Sequence, residues 1–100
     1  MGILKALFGG RRPDAAEARR LVASGALLLD VRSEAEYARG HLPGALNIPV
    51  QELAERTAEV GKAGREVVVY CRSGMRSARA ARLLSDAGFA AHDLGGMGNW

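Results

Sequence analysis

The residues best suited to covalent chemistry are concentrated in one short stretch, Cys71 to Ser77, which contains the only cysteine of the sequence. Arg72 and Arg76 place two cations beside that cysteine, and Ser73 and Ser77 add two hydroxyl donors. The thiolate is the nucleophilic form of cysteine, and nearby cations lower the thiol pKa from its ordinary value of about 8.5. An inert cysteine at a strand end would have apolar neighbours instead. The stretch therefore predicts a reactive thiolate.

A strand and a helix are predicted on either side of this stretch. Residues 67–70 have high strand propensity, and the alanine-rich segment 77–87 has the spacing of an amphipathic helix. Cys71 thus falls at a strand-to-helix turn, where the first helical amides lack intrahelical partners and carry partial positive charge. Gly74 can adopt a positive φ and turn successive N–H groups towards an anion. We predict that Gly74 and Met75 complete an anion-binding loop around the sulfur.

A second apolar run, residues 26–31, ends at Asp30 and Arg32. Continuous apolar runs are typical of strands buried on both faces of a parallel sheet. The sequence therefore predicts an α/β fold with a central, mostly parallel sheet of about four to five strands and helices on both faces. Asp30 and Arg32 would lie at the carboxyl edge of this sheet with Cys71, where such folds bind ligands. They are interpreted either as supporting residues that face the cysteine loop or as an ion pair that anchors the next turn, and the ion pair is favoured.

The other segments are predicted to form the scaffold. Asp14 and Glu17 resemble a capping box that begins a helix, which ends at Gly25, and Ser33 caps a short helix. His41 is interpreted as bonded to the backbone in preference to acting as a general base. Further predictions are a short strand over 45–48, a helix over 50–60 with Leu53, Ala54 and Thr57 inward, and a last strand over 89–94.

Composition limits the function further. One hundred residues with 48% apolar content suit a single core, which we place at 14–100 after an N-terminal extension, 1–13. The net charge of +3 comes mostly from arginine, but aromatic residues are few and not interleaved with it, so a small-anion site is predicted and nucleic-acid binding is not. One cysteine and two isolated histidines give no metal-ligand spacing. No metal and no cofactor are predicted.

The apolar opening, Ile3 to Phe8, is interrupted by Lys5 and is too short for a secretory signal. Its apolar residues could share one helical face that docks on the domain, a partner or a membrane surface, and a frayed terminus packed on the core is the favoured alternative. No run approaches the ~20 apolar residues of a membrane span. The sequence predicts a cytoplasmic protein without a stable membrane anchor.

Several motifs occur in an order and spacing that resemble a single-domain rhodanese, a sulfurtransferase. They are Asp30-Val31-Arg32, Glu36-Tyr37, Gly40-His41-Leu42-Pro43-Gly44-Ala45, Asn47-Ile48-Pro49, Cys71-Arg72-Ser73-Gly74-Met75-Arg76-Ser77 and Leu94-Gly95-Gly96 with Trp100. The resemblance implies that Cys71 takes the outer sulfur of thiosulfate as a persulfide and passes it to cyanide, a thiol or a protein. It also implies that Arg72 and Arg76 hold the sulfonate of the donor. Compared with relatives, the chain is expected to lack their first strand and a helix beyond Trp100.

Three functions remain open at this point. The first is sulfur transfer from thiosulfate or a related donor, the second a persulfide relay between proteins, and the third a phosphatase or arsenate reductase. Four residues separate Cys71 from Arg76, whereas the phosphatases and arsenate reductases that resemble this family have one more. The shorter loop favours one added sulfur atom over a tetrahedral oxyanion.

Overall fold

The computed structural model describes residues 12–100, which form an α/β domain. Its α-helices are α1 (Ala15–Ala23), α2 (Glu34–Ala38), α3 (Thr57–Val60) and α4 (Met75–Asp86), and its strands are β1 (Leu27–Asp30), β2 (Leu46–Asn47), β3 (Glu66–Cys71) and β4 (Ala90–Gly96). Two 3₁₀ helices, Val50–Glu55 and Met97–Asn99, complete the described part.

The four strands form one sheet in the order β2-β1-β3-β4, and every neighbouring pair is parallel. Parallel strands need a crossover, and the helices between them supply it. The register pairs Asp30 with Tyr70 and Cys71 with Gly96, so the cysteine lies at the carboxyl edge of the sheet. The predicted fold class and the parallel sheet are confirmed, with four strands in the described residues.

Both faces of the sheet are buried, as the continuous apolar runs predict. Leu29, Val67 and Val69 pack towards α4 and the first 3₁₀ helix, while Leu28 and Val68 pack towards α1 on the other face. Successive residues of a strand point to opposite faces, so each run supplies both cores. The two layers bury the centre of β3, and its last residue is Cys71.

The predicted helix starts agree with the structure where capping boxes are present. Asp14 accepts the amide of Glu17 at 2.8 Å, and Ser33 accepts the amide of Glu36 at 3.1 Å. In each motif the glutamate reaches back to the backbone of the capping residue. The helix after the cysteine begins at Met75, two residues earlier than predicted, because Gly74 already serves as its N-cap.

The predicted continuous helix over 50–60 is wrong. Residues Val50–Glu55 form a 3₁₀ helix and Thr57–Val60 a separate α-helical turn. A 3₁₀ helix has three residues per turn, so Val50 and Leu53 share the buried face, whereas Ala54 is exposed. The strand predicted over 45–48 is limited to Leu46–Asn47, and the last strand extends to Gly96.

None of the helices in residues 12–100 has the length and hydropathy of a membrane-spanning segment. The apolar segment Ile3 to Phe8, interpreted as a frayed terminus in preference to a docking helix, lies outside the described residues. So does nearly all of the predicted extension, 1–13. That division of the chain stays a prediction.

Candidate active-site loop

Cys71 is the last residue of β3, and its side chain is almost completely buried, with 1% of the residue exposed. The amide of Gly74 donates a hydrogen bond to its sulfur at 2.9 Å. Gly74 has φ +109° and is the N-cap of α4, so the loop turns inward and its N–H groups converge on the sulfur. This region of φ favours glycine. The turn of the loop is the one that the sequence predicts, and its role in binding an anion stays a prediction.

The pKa of the Cys71 thiol is set by two opposed effects. Burial raises it, because a buried thiolate loses solvation. Hydrogen bonds from the Ser77 hydroxyl and from the amides of Ser77, Gly74 and Ser73 outweigh burial and hold the pKa of Cys71 below the ordinary value of a cysteine. The Ser77 hydroxyl has one proton and also lies 3.0 Å from the Gly74 carbonyl, so it donates either to that oxygen or to the sulfur. The loop therefore favours an anionic sulfur.

The last residue of β4, Gly96, packs closely against the start of the cysteine loop. A Cβ added to Gly96 would lie 2.8 Å from the carbonyl oxygen of Arg72, which is closer than real Cβ atoms approach the backbone. Gly96 pairs with Cys71 in the sheet, so the contact fixes the backbone immediately after Cys71. Only a residue without a side chain allows this approach.

Arg76, for which the resemblance implies a role in binding the donor, is paired with Glu36 in the structure. Its two terminal nitrogens donate to the two carboxylate oxygens of Glu36 at 2.6 and 3.1 Å. The hydrogen bond from Arg76, aided by the amide of Ser33, lowers the pKa of Glu36 to about 2. This bidentate pair joins the start of α4 to α2 and so attaches the loop to the scaffold. Glu36 was not predicted as a site residue, although its place in a capping box fixes its backbone.

Asp30 and Arg32 form the predicted ion pair, with a shortest nitrogen–oxygen distance of 2.7 Å. Both residues are buried, and Arg32 also donates to the Gly40 carbonyl at 2.7 Å. Tyr70 donates its hydroxyl proton to Asp30 at 2.8 Å. Burial raises the pKa of Tyr70, and the hydrogen bond to Asp30 raises it further. The hydrogen bond from the Leu42 amide lowers it, but by less.

Asn47 completes the network at this edge by donating from its side-chain nitrogen to the carbonyls of Asp30 and Arg32, each at 3.0 Å. Neither Tyr70 nor Asn47 was predicted as a site residue. Their positions at strand ends are the signal that identifies such residues. Together with the ion pair they fix the chain segment that follows β1.

A cavity of about 390 Å³ opens beside the loop. Arg32, Arg39 and Arg72 contribute to its wall, together with Glu36, Gly40, Met97 and Gly98. Arg32 and Glu36 already have partners, whereas Arg39 and Arg72 are exposed and form no ion pair within residues 12–100. The cavity therefore presents two available guanidinium groups, and one of them belongs to Arg72, the residue that follows Cys71 in the chain. Arg39 was not predicted as part of the site.

The other predicted residues occupy different environments. Ser73 is exposed, Ser77 is buried, and the Met75 side chain points outwards with 84% of the residue exposed. His41 contacts the Tyr37 carbonyl through Nδ1 at 2.9 Å and stacks on the Tyr37 ring, as the backbone interpretation predicts. No group of three or more possible metal ligands occurs in the described part of the chain.

Comparison with known proteins agrees with this architecture. The family model of the rhodanese-like domain matches residues 14–100. A sulfurtransferase of Allochromatium vinosum is 44% identical over 63 residues, covering 63% of this chain and 58% of the relative. The thiosulfate sulfurtransferase PspE of Escherichia coli is 38% identical over 71 residues, covering 69% of this chain and 68% of the relative.

Among solved structures, the human single-domain sulfurtransferase TSTD1 superimposes with a TM-score of 0.76 and 36% identity, covering 89% of this chain and 90% of that chain. Some curated relatives are much longer: the chain spans 31% of a transcriptional regulator of Mycobacterium tuberculosis and 40% of a putative sulfur carrier protein of Bacillus subtilis. The family model nevertheless extends from the first capping residue of α1 to Trp100 and includes the whole cysteine loop. The chain therefore belongs to the rhodanese-like domain family.

Proposed function

We propose that the protein is a sulfurtransferase that carries sulfane sulfur as a persulfide of Cys71. The observation that carries this proposal is the sulfur position: the Gly74 amide lies 2.9 Å from Sγ, and the surrounding loop donors lower the thiol pKa. Thiolate and persulfide are both anions, so the same N–H donors stabilise each of them without rearrangement. Membership of a family that includes a thiosulfate sulfurtransferase supports the same reaction.

The proposed reaction has two displacement steps. In the first, the Cys71 thiolate attacks the outer sulfur of thiosulfate, a new sulfur–sulfur bond forms, and sulfite leaves with the electron pair of the old bond. In the second, cyanide or an acceptor thiolate attacks the terminal sulfur of the persulfide. The bond to Cys71 then breaks, the thiolate is regenerated, and thiocyanate or the acceptor persulfide leaves. No cofactor or metal is needed in either step.

We propose that Arg72 and Arg39 bind the oxyanion end of the donor. Both guanidinium groups line the cavity beside the loop and form no ion pair in the described residues. Their charges offset the repulsion between a dianionic donor and the Cys71 thiolate. Arg76 is proposed to hold the loop in place through its ion pair with Glu36, because both of its terminal nitrogens donate to the Glu36 carboxylate.

The same ion pair argues against phosphatase or arsenate reductase activity. Transfer of a tetrahedral oxyanion requires cations around its oxygens as charge develops. Arg76 is the arginine at the end of the loop that would meet this need, but Glu36 already binds it in a bidentate pair.

A relay of sulfur between proteins uses the same persulfide and is the second candidate function. It is supported by the exposure of Ser73 and Met75 at the rim of the loop.

Mass spectrometry of the intact protein after incubation with thiosulfate tests the proposal. We expect Cys71 to gain one sulfur atom, cyanide to remove it, and thiocyanate to appear in equal amount. Cys71→Ala should gain nothing. Hydrolysis of an aryl phosphate by the unmodified protein, with no sulfur gained from thiosulfate or an organic persulfide, would refute the proposal.

The proposed partners are a small anionic sulfur donor and a thiol or protein acceptor. We propose the cytoplasm as the location, because a reducing compartment keeps an unpaired Cys71 in the thiol form that the reaction requires.

A further inference from the structure

Helix α4 carries a row of exposed residues that the proposed chemistry does not use. Met75, Arg79 and Arg82 recur at helical spacing and therefore share one face of the helix. All three are exposed, and Met75 is the large apolar residue most open to solvent in the described part, with 84% exposure. Met75 stands four residues after Cys71, so this row, which we term the arginine row, begins at the rim of the candidate site.

The arginines of the row differ from most arginines of the domain. Several others are engaged by acidic or carbonyl oxygens, namely Arg19, Arg32, Arg56, Arg65 and Arg76. Arg79 and Arg82 have no ion-pair partner within residues 12–100. The row stops one turn before Asp86, the one acidic residue of α4. Its two cations are thus available to an external anion.

We propose that the arginine row is a docking surface for an acidic protein segment whose thiol receives the sulfur of Cys71. This inference rests on the sulfur-transfer function proposed above. The row extends about 10 Å along α4 from Met75 to Arg82, at a rise of about 1.5 Å per residue. A small anion in the cavity beside Arg72 is too short to reach both arginines, whereas an extended acidic segment of a few residues matches them.

The composition of the row favours a protein over a nucleic acid. Arginine and methionine are enriched at protein interfaces, and methionine offers an adaptable apolar contact. Single-stranded nucleic acids bind on aromatic platforms between cations, and the row contains no aromatic residue. Asp86, one turn beyond its end, would also repel a continuing phosphate backbone. Docking here would bring the acceptor thiol to the persulfide, where it attacks the outer sulfur, receives it and releases the Cys71 thiolate.

Two synthetic peptides test the inference. One carries three glutamates followed by a cysteine, and the other has glutamines in place of the glutamates. The protein is loaded with thiosulfate, desalted and mixed with each peptide, and loss of sulfur from Cys71 is followed by quenched mass spectrometry. We expect transfer to the acidic peptide to be about five- to tenfold faster at low salt. The advantage should vanish near 1 M salt, where the screening length is about 3 Å.

Variants with equal net charge locate the effect. Arg79→Glu/Arg82→Glu should abolish the preference for the acidic peptide, whereas Arg20→Glu/Lys62→Glu should keep it. Arg20 lies on α1, across the sheet from α4, and Lys62 precedes β3 at the opposite sheet edge. Arg79→Gln/Arg82→Gln avoids the new repulsion with Asp86 and should also reduce the preference. Loading of all variants by thiosulfate should be unchanged.

Several results would overturn the inference. These are equal rates for the two peptides, equal losses in both charge-reversal variants, or inhibition by a single-stranded oligonucleotide at concentrations far below those of the acidic peptide. Each leaves the proposed sulfur transfer intact, because Cys71 has still been loaded. A wild-type protein that never gains sulfur refutes the proposed function instead, and the inference with it.

Discussion

Arg72 and Arg76 belong to the same loop and have the same chemistry, yet the structure places them in opposite situations. Arg72 is exposed beside the cavity and forms no ion pair in the described residues, whereas Arg76 is held by both oxygens of Glu36. A cation near a cysteine in sequence is therefore not necessarily available to its substrate. An arginine of the loop is available to the substrate only if the fold places no carboxylate against it.

The difference between the two arginines matters for function only if Cys71 is the nucleophile. Removal of the Cys71 thiol should therefore have the largest effect on activity. Cys71→Ser is nearly isosteric and should lower thiosulfate:cyanide sulfur transfer at least about 1000-fold, because an alcohol at this site is a far weaker nucleophile. The activity assay is paired with circular dichroism to establish folding. Substantial activity in a folded variant would contradict the role of Cys71.

Arg72→Ala tests the arginine that is available. We expect the KM for thiosulfate to rise about tenfold, equivalent to about 1.4 kcal/mol, because one charge-assisted contact to a dianion is lost. A less charged donor, such as an arylthiosulfonate monoanion, should be affected less. Arg20→Ala, an exposed arginine on α1, is the matched control and should leave both donors unchanged. Equal losses on both donors would mean that Arg72 supports the shape of the loop.

The pKa of Cys71 offers a further test of the loop. The rate of alkylation should rise with pH as the thiolate forms, with a midpoint below the value of about 8.5 that a free cysteine has. Ser77→Ala removes a hydroxyl donor to the sulfur and should shift this midpoint upwards. Ser73→Ala is the control, since Ser73 contributes only its amide and should leave the midpoint in place. A wild-type midpoint at or above that of a free thiol would show that the loop amides do not stabilise the anion.

The ion pair of Arg76 should affect stability more than chemistry. Glu36→Gln should lower the free energy of unfolding by about 1 kcal/mol at pH 7, as for a solvent-accessible pair of good geometry. The pKa of Glu36 falls from 4.5 to about 2 on folding, so the stabilisation is present above pH 4.5 and is lost as the pH falls towards 2.

Urea denaturation at several pH values measures this effect. Wild type and Glu36→Gln should converge in stability as the pH decreases through that window. Arg76→Gln should behave like Glu36→Gln in stability and should weaken all sulfur donors to a similar extent. If Arg76→Gln lost activity with thiosulfate but kept it with other donors, Arg76 would instead contact the donor directly.

Local sequence was enough to determine the frame of this protein. Two continuous apolar runs predicted β1 and β3 and their burial on both faces, because each run has to supply two cores. Capping boxes at Asp14 and Ser33 fixed two helix starts, since both partners lie within one turn. The position of Cys71 between a strand and a helix predicted the loop, and Gly74 allowed its turn.

Tertiary structure decided how the charges around that loop are used. Glu36 and Arg76 are 40 residues apart in sequence and meet only because α2 and α4 begin near the same edge of the sheet. Gly96 approaches the Arg72 carbonyl through the pairing of β4 with β3, and no local pattern encodes that contact. The prediction of one helix over 50–60 was wrong for a related reason. Val50 and Leu53 both pack in the core, and this spacing of three residues suits a 3₁₀ helix, which helix propensity alone does not predict.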